Sequence, residues 1–134
     1  MIYPINLLLV EDSVEDAWLI QRELENGGLN VVTERVQSSM ALTEALERRH
    51  WDIVISDYRM PRFSGLTALA IVRTRLPDVP FILLSGAIEE SVANVAIMTG
   101  ASAFAKKGDM AQLIPIVKRE LKASSKRKGV SAWL

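Results

Sequence analysis

The chain contains no cysteine. A disulfide framework, a thiolate metal site and a cysteine nucleophile are therefore excluded. Histidine occurs once, at His50, so there is no cluster of imidazoles to hold zinc. No apolar run approaches the roughly 20 residues that cross a bilayer as a helix. The first residues, Met1-Ile2-Tyr3-Pro4, lack a charged region followed by an apolar stretch and a cleavage site, so no signal peptide is expected. The expectation is a soluble, cytoplasmic protein with no membrane contact. Excess charge is also missing: 16 basic groups balance 16 acidic ones, which gives no electrostatic footprint for nucleic acid. The balance is uneven along the chain. Residues 123–134 hold Lys126, Arg127 and Lys128 and no acid, which leaves the body mildly acidic and the tail basic.

What is present is enough for a core. The chain has 134 residues, 49% of them hydrophobic, which suits a single domain that needs no staples. Short apolar runs at Ile5–Val10, Val31–Val36, Ile53–Ser56, Phe81–Leu84 and Ala103–Ala105 have the length and branching of strands. Ile53–Ile55 and Phe81–Leu84 are apolar at every position, as in strands buried on both faces. Val31–Val36 carries Thr33, Glu34 and Arg35 and is expected nearer an edge.

Helix-length segments lie between them. They are Val14–Asn26 after the capping Ser13, Ser38 or Ser39 to Arg49, Ser64 to Leu76, Glu89 to Thr99, and Asp109 to Lys122. Pro115 predicts an irregular start to the last helix. The alternation βαβαβαβαβα, with right-handed crossovers, gives an α/β fold: a parallel sheet covered by helices on both faces. The expected organisation is one domain over residues 1–122, with a basic tail or linker over 123–134. The aromatic Trp18, Trp51 and Trp133 are expected to pack rather than to anchor partners.

Open parallel sheets bind ligands beyond the carboxyl ends of their strands. Strand one is followed there by Glu11-Asp12, strand three by Asp57, strand four by Ser85-Gly86 and strand five by Lys106-Lys107. Three acids gathered together repel unless a cation lies among them. A hard divalent cation such as Mg²⁺ takes oxygen ligands and commonly sits beside a phosphoryl group. The alternative is that Asp12 and Asp57 merely cap the segments that follow.

A carboxylate beside such a cation can attack phosphorus and become an acyl phosphate. The charge of that transition state is met mostly by positioned groups: Lys107 or Lys106 on one oxygen, Ser85 on another and the metal on a third. No general base is near, because His50 precedes strand three at the opposite end. That absence suits a phosphorylated carboxylate that persists.

These residues resemble the receiver domain of bacterial two-component response regulators, over about residues 5–122. The segment from Asp57 through Met60-Pro61 to Gly65 is similar to the family's D-x-x-M-P-x-x-x-G. Leu8–Asp12, Ser85-Gly86 and Gly100–Lys107 support it. The resemblance implies a flavodoxin-like (βα)5 three-layer sandwich with a five-stranded parallel sheet of order 2-1-3-4-5. It implies that Asp57 accepts a phosphoryl group from a histidine kinase or phosphotransfer protein. Glu11, Asp12, Asp57 and the backbone carbonyl of Arg59 would form the Mg²⁺ site, with Glu11 acting through water. Lys107 would be the functional lysine and Lys106 a solvated neighbour. Ser85 and Phe104 match the family's switch pair.

Two departures stand out. Gly108 replaces the proline that usually follows the lysine, so a trans peptide and a differently shaped loop are expected. Glu11 replaces the commoner Asp and is one methylene longer.

Phosphorylation would let Ser85 move toward the new oxygens and Phe104 rotate inward, biasing a surface of helix four, strand five and helix five. Gly86 and Ala87 are small and leave the phosphoryl group open to water, and Arg59 is long enough to sit over it. The output is a downstream protein or a fused domain; a homodimer is a further option, and no nucleic acid is expected. No turnover of an external substrate is expected beyond the domain's own phosphorylation and dephosphorylation. A binding module that is never phosphorylated is the main alternative. It would be favoured by loss of Asp12, Asp57 or Lys107, and all three are present. An aspartate-nucleophile hydrolase would carry a second acid where Arg59 stands. A dinucleotide-binding domain would need a glycine-rich turn where Glu11-Asp12-Ser13 stands.

Overall fold

The computed structural model describes residues 4–86 and 90–127. Five strands alternate with five helices: β1 (Ile5–Val10), α1 (Val14–Asn26), β2 (Val31–Val36), α2 (Ser39–Arg48), β3 (Ile53–Asp57), α3 (Gly65–Arg75), β4 (Phe81–Ser85), α4 (Glu90–Thr99), β5 (Ala103–Lys106) and α5 (Met110–Arg127). The strands form one parallel sheet in the order β2-β1-β3-β4-β5. The expected sheet order and the placement of Val31–Val36 at an edge both hold.

Strand alternation sorts the core into two layers. Ile5, Leu7 and Leu9 of β1, Ile53 and Ile55 of β3, and Ile82 and Leu84 of β4 face α1 and α5, where Ile20, Leu24, Leu113, Val117 and Leu121 meet them. Leu8, Val10, Val54, Phe81 and Leu83 point the other way, onto Leu42, Leu46, Leu69, Val72 and Ala96 of α2, α3 and α4. The three central strands are thus apolar on both faces, as their unbroken hydrophobic runs require.

Serine caps open three helices. Ser13, Ser38 and Ser64 each accept the backbone N–H three residues on, at 3.1–3.2 Å. Gly100, with φ of +115°, closes α4 in the left-handed region that glycine tolerates.

Two expectations need correction. First, α5 runs past Lys122 to Arg127, and Ser124 and Ser125 are buried. Nothing in Ala123–Arg127 stops a helix, and the next glycine is Gly129. The segment expected as a tail from residue 123 therefore begins inside a helix. Second, Trp18 does not pack: it is 58% exposed beside Arg22, because it falls off the Ala17, Ile20 and Leu24 stripe of α1. Trp51, in contrast, is buried and donates from its indole nitrogen to the carbonyl of Ala45 at 2.8 Å. Pro115 lies inside α5, whose start is irregular as expected. The irregularity it predicts is confined to the first turn, where Gln112 N–H donates back to the Asp109 carbonyl at 3.2 Å. Ala87, the helix start at Glu89, and Trp133 lie outside the described residues.

Candidate functional site

The carboxyl ends of β1, β3, β4 and β5 bring Glu11, Asp12, Asp57, Ser85 and Lys107 to one edge of the sheet. Asp57 is the last residue of β3 and Ser85 the last of β4. Parallel pairing continues past both ends. Tyr58 N–H donates to the Leu84 carbonyl at 2.7 Å, and Lys107 N–H donates to the Ser85 carbonyl at 2.7 Å. Glu11 is held likewise, its N–H donating to the Val36 carbonyl at 3.0 Å and its carbonyl accepting from Arg35 at 3.0 Å.

The loop after Asp57 returns against the strand it left. Gly65 N–H donates to the Tyr58 carbonyl at 2.8 Å. A Cβ on Gly65 would lie 2.5 Å from the Asp57 carbonyl oxygen and 2.5 Å from Leu83. Only glycine lets α3 begin this close to the end of β3. The fixed spacing from Asp57 to Gly65 is thus a packing requirement that holds the acid's main chain.

Carboxylate oxygens of Glu11, Asp12 and Asp57 lie within 4.8 Å of one another. The Glu11 side chain is 1% exposed and that of Asp57 9%, whereas Lys107 is 20% exposed. The Lys107 ammonium donates to Oδ2 of Asp57 at 3.0 Å. It also forms ion pairs with Glu11 at 2.7 Å and with Asp16 at 2.8 Å. Burial pushes the Glu11 carboxyl above the usual carboxylate range; Lys107 pulls it back, and the Asp57 charge pushes it further up. Burial alone would lower the Lys107 pKa, but its contacts with Asp16, Glu11 and Asp57 outweigh burial and raise it.

The acids fit a hard divalent cation. Oε1 of Glu11 is buried and, although the ammonium is near, accepts no well-directed hydrogen bond, so it retains a lone pair for a cation. An open cleft of about 530 Å³ lies beside the acids, lined by Asp12, Tyr58, Arg59, Met60, Pro61 and Ser64. The Arg59 guanidinium lies over the Tyr58 ring, 5.9 Å from its centre. Lys106 is exposed at the end of β5, as expected. Every described peptide bond is trans, including that between Lys107 and Gly108.

Ser85 is 4% exposed, and Phe104 packs partly buried against the α2, α3 and α4 layer. Phe104 pairs with Leu83 across the sheet, and Ser85 with Lys106. By alternation Ser85 and Phe104 share the face that α4 covers.

Two residues escape sequence reasoning, Asp16 at this edge and Arg73 at the opposite end of the sheet. Asp16 reads as one of two first-turn acids of α1, yet it reaches Lys107. Arg73 reads as a surface cation of α3. Its guanidinium donates to the carbonyls of Gly100, Leu76 and Val79 at 2.7, 3.1 and 2.6 Å, tying α3 to the turn before β5.

This strand order, with a polar edge where the order of strands reverses between β1 and β3, defines the flavodoxin-like class of α/β domains. Within that class the chain belongs to the response regulator receiver domain family, whose model matches residues 7–118, and is a receiver domain of the two-component type. Among curated relatives, the DNA-binding transcriptional regulator NtrC of Escherichia coli (strain K12) is 28% identical over 114 residues, covering 84% of this chain and 24% of the relative. The transcriptional regulatory protein GlrR of the same organism is 34% identical over 106 residues, covering 78% and 23%. The chain spans about a quarter of the length of these relatives. Among solved structures, NtrX from Brucella abortus superposes with a TM-score of 0.84 at 25% identity, covering 95% of this chain and 29% of that one. The signal receiver domain of a LuxO repressor-like protein from Vibrio parahaemolyticus has the same fold, with a TM-score of 0.83 at 22% identity, covering 94% and 96%. No helix among the described residues is long and apolar enough to cross a membrane.

Proposed function

We propose that Asp57 is the phosphoacceptor of this receiver domain. The observation that carries the proposal is the Asp57 carboxylate itself: inward-facing, grouped with Glu11 and Asp12, and bonded to the Lys107 ammonium at 3.0 Å. A carboxylate oxygen of Asp57 attacks the phosphorus of a phosphohistidine on a histidine kinase or phosphotransfer protein. The P–N bond breaks, the imidazole leaves with a proton, and Asp57 becomes an acyl phosphate. Water later attacks phosphorus and regenerates the carboxylate, so no external substrate is turned over.

Glu11 through water, Asp12, Asp57 and the Arg59 carbonyl would hold Mg²⁺. When bound, the ion neutralises charge among the acids and on a phosphoryl oxygen. Lys107 neutralises a second oxygen, and the Ser85 hydroxyl donates to a third. Ser85 moving toward the phosphoryl group frees room on the α4 face, and Phe104 turns into it. The surface that then changes is built by α4, β5 and α5. Val95, Ile97 and Met98 of α4 expose large apolar side chains there, which suits a protein partner, a fused domain or a second copy of the chain. A cytoplasmic site of action follows from the kinase partner.

The test is intact mass after incubation with Mg²⁺ and acetyl phosphate. One phosphoryl adduct is expected on the wild type, and none on Asp57→Asn or in the presence of a chelator. An adduct of equal yield on Asp57→Asn would refute the proposal.

A further inference from the structure

Three carboxylates surround Lys107, and the phosphoacceptor chemistry accounts for only two of them. Glu11 and Asp57 lie inside the pocket. The Asp16 side chain is 39% exposed and approaches the ammonium, at 2.8 Å, from the first turn of α1.

Its availability comes from an exchange of roles at the start of that helix. Ser13 is the N-cap, and its hydroxyl accepts Asp16 N–H at 3.2 Å. In a reciprocal capping box the acid three residues after the cap turns back to the cap residue's own N–H. Here Glu11 takes that proton instead, with Oε2 3.3 Å from Ser13 N. One Glu11 oxygen thus serves the helix start while the other faces Lys107. The Asp16 carboxylate is released from capping and turns to the ammonium. The longer side chain at position 11 and the acid at position 16 work as a pair.

We infer that Asp16 is a positioning residue that keeps the Lys107 ammonium at the pocket while a divalent cation engages Glu11 and Asp57. The inference rests on the proposed function. An ammonium and a divalent cation compete for the same oxygens and repel each other. Lysine's flexible stem lets its charge retreat to water when its partners are taken. Asp16 lies outside the group of acids that converge on one point, so it offers Lys107 a partner that the cation does not claim.

The test reads the ammonium directly. Lysine NH₃⁺ signals in ¹H–¹⁵N spectra survive only where ion pairing slows proton exchange with water. The Lys107 signal, assigned by its loss in Lys107→Ala, is followed in the full chain with and without saturating Mg²⁺. The wild type is expected to keep it in both states. Asp16→Asn is expected to keep it without Mg²⁺ and lose it with Mg²⁺.

Phosphorylation by acetyl phosphate at saturating Mg²⁺ should slow about threefold in Asp16→Asn, the scale of a half-exposed ion pair. The same substitution should have no effect on the rate in a Lys107→Ala background. A signal that persists in Mg²⁺-loaded Asp16→Asn, or that is absent from the wild type in either state, overturns the inference alone. Mg²⁺ that shifts no backbone amide at Glu11 or Asp57 in the wild type overturns the functional proposal, and this inference with it.

Discussion

The backbone N–H of Lys107 donates to the carbonyl of Ser85 at 2.7 Å, so the ammonium and hydroxyl donors of the site are fixed to each other through the main chain. Ser85→Ala leaves that bond intact. Its effect is expected on phosphoryl chemistry, with Lys107 still in place. Loss of one hydrogen bond to a charged oxygen, about 1.5 kcal/mol, should slow phosphorylation by acetyl phosphate roughly tenfold. The rate of adduct formation measures this, and unchanged backbone amide shifts at Asp57 and Lys107 verify the geometry.

Gly65 tests the coupling between α3 and the acid. Its missing Cβ would stand 2.5 Å from the Asp57 carbonyl, and a main-chain oxygen has little freedom to give way. Gly65→Ala should destabilise the fold by about 1–3 kcal/mol, as overpacking does. Urea unfolding measures the loss. A neutral result would mean that α3 can shift freely relative to β3.

Burial of Glu11 makes a signed statement about pH. Its folded pKa lies above the ordinary 4.5, so only at pH between the two values does the folded protein hold a proton that the unfolded chain has released. The group's contribution to stability is full below pH 4.5 and declines as pH rises through the raised folded value. In chelator at neutral pH, Glu11→Gln should therefore melt above the wild type. The gap should close as pH falls toward 4.5, and Mg²⁺ should narrow it at neutral pH by stabilising the wild type selectively. Melting curves across pH, with and without Mg²⁺, measure both effects.

Arg73 carries stability away from the acids. Its planar fork serves carbonyls before and after β4. Arg73→Ala strands them, at an expected cost of about 1–3 kcal/mol. Arg73→Lys should recover only part of that, because an ammonium cannot reproduce the fork. Denaturant midpoints of the two variants decide it.

How far the sequence reached follows from what fixes each feature. β1, α1 and β2 match their expected bounds because turn residues, a serine cap and Gly27-Gly28 punctuate them. The expected end of α5 falls short because the Ser, Lys and Arg of 123–127 read as loop chemistry, and the burial of Ser124 and Ser125 that holds them in the helix depends on the fold. Asp57 stands out because it ends a hydrophobic run at the sheet edge where ligands gather. Placement alone leaves Lys106 and Lys107 open, and the resemblance, through the spacing from Phe104, selects Lys107. Asp16 does not stand out, since a first-turn acid is ordinarily explained by the helix dipole. Only the approach of Lys107, from a loop far along the chain, gives Asp16 a partner. Arg73 is concealed for the same reason, since its acceptors are carbonyls brought near by tertiary packing.

The central claim is that Asp57 carries the phosphoryl group, and borohydride trapping addresses it directly. Reduction of an aspartyl phosphate releases phosphate and leaves homoserine at the modified position. Wild-type protein treated with acetyl phosphate and Mg²⁺, then reduced and digested, should give a peptide with homoserine at position 57 and at no other acid. Homoserine at position 12 or 16 instead, 2-amino-5-hydroxypentanoic acid at position 11, or no reduced residue at all despite bound Mg²⁺, would contradict the account.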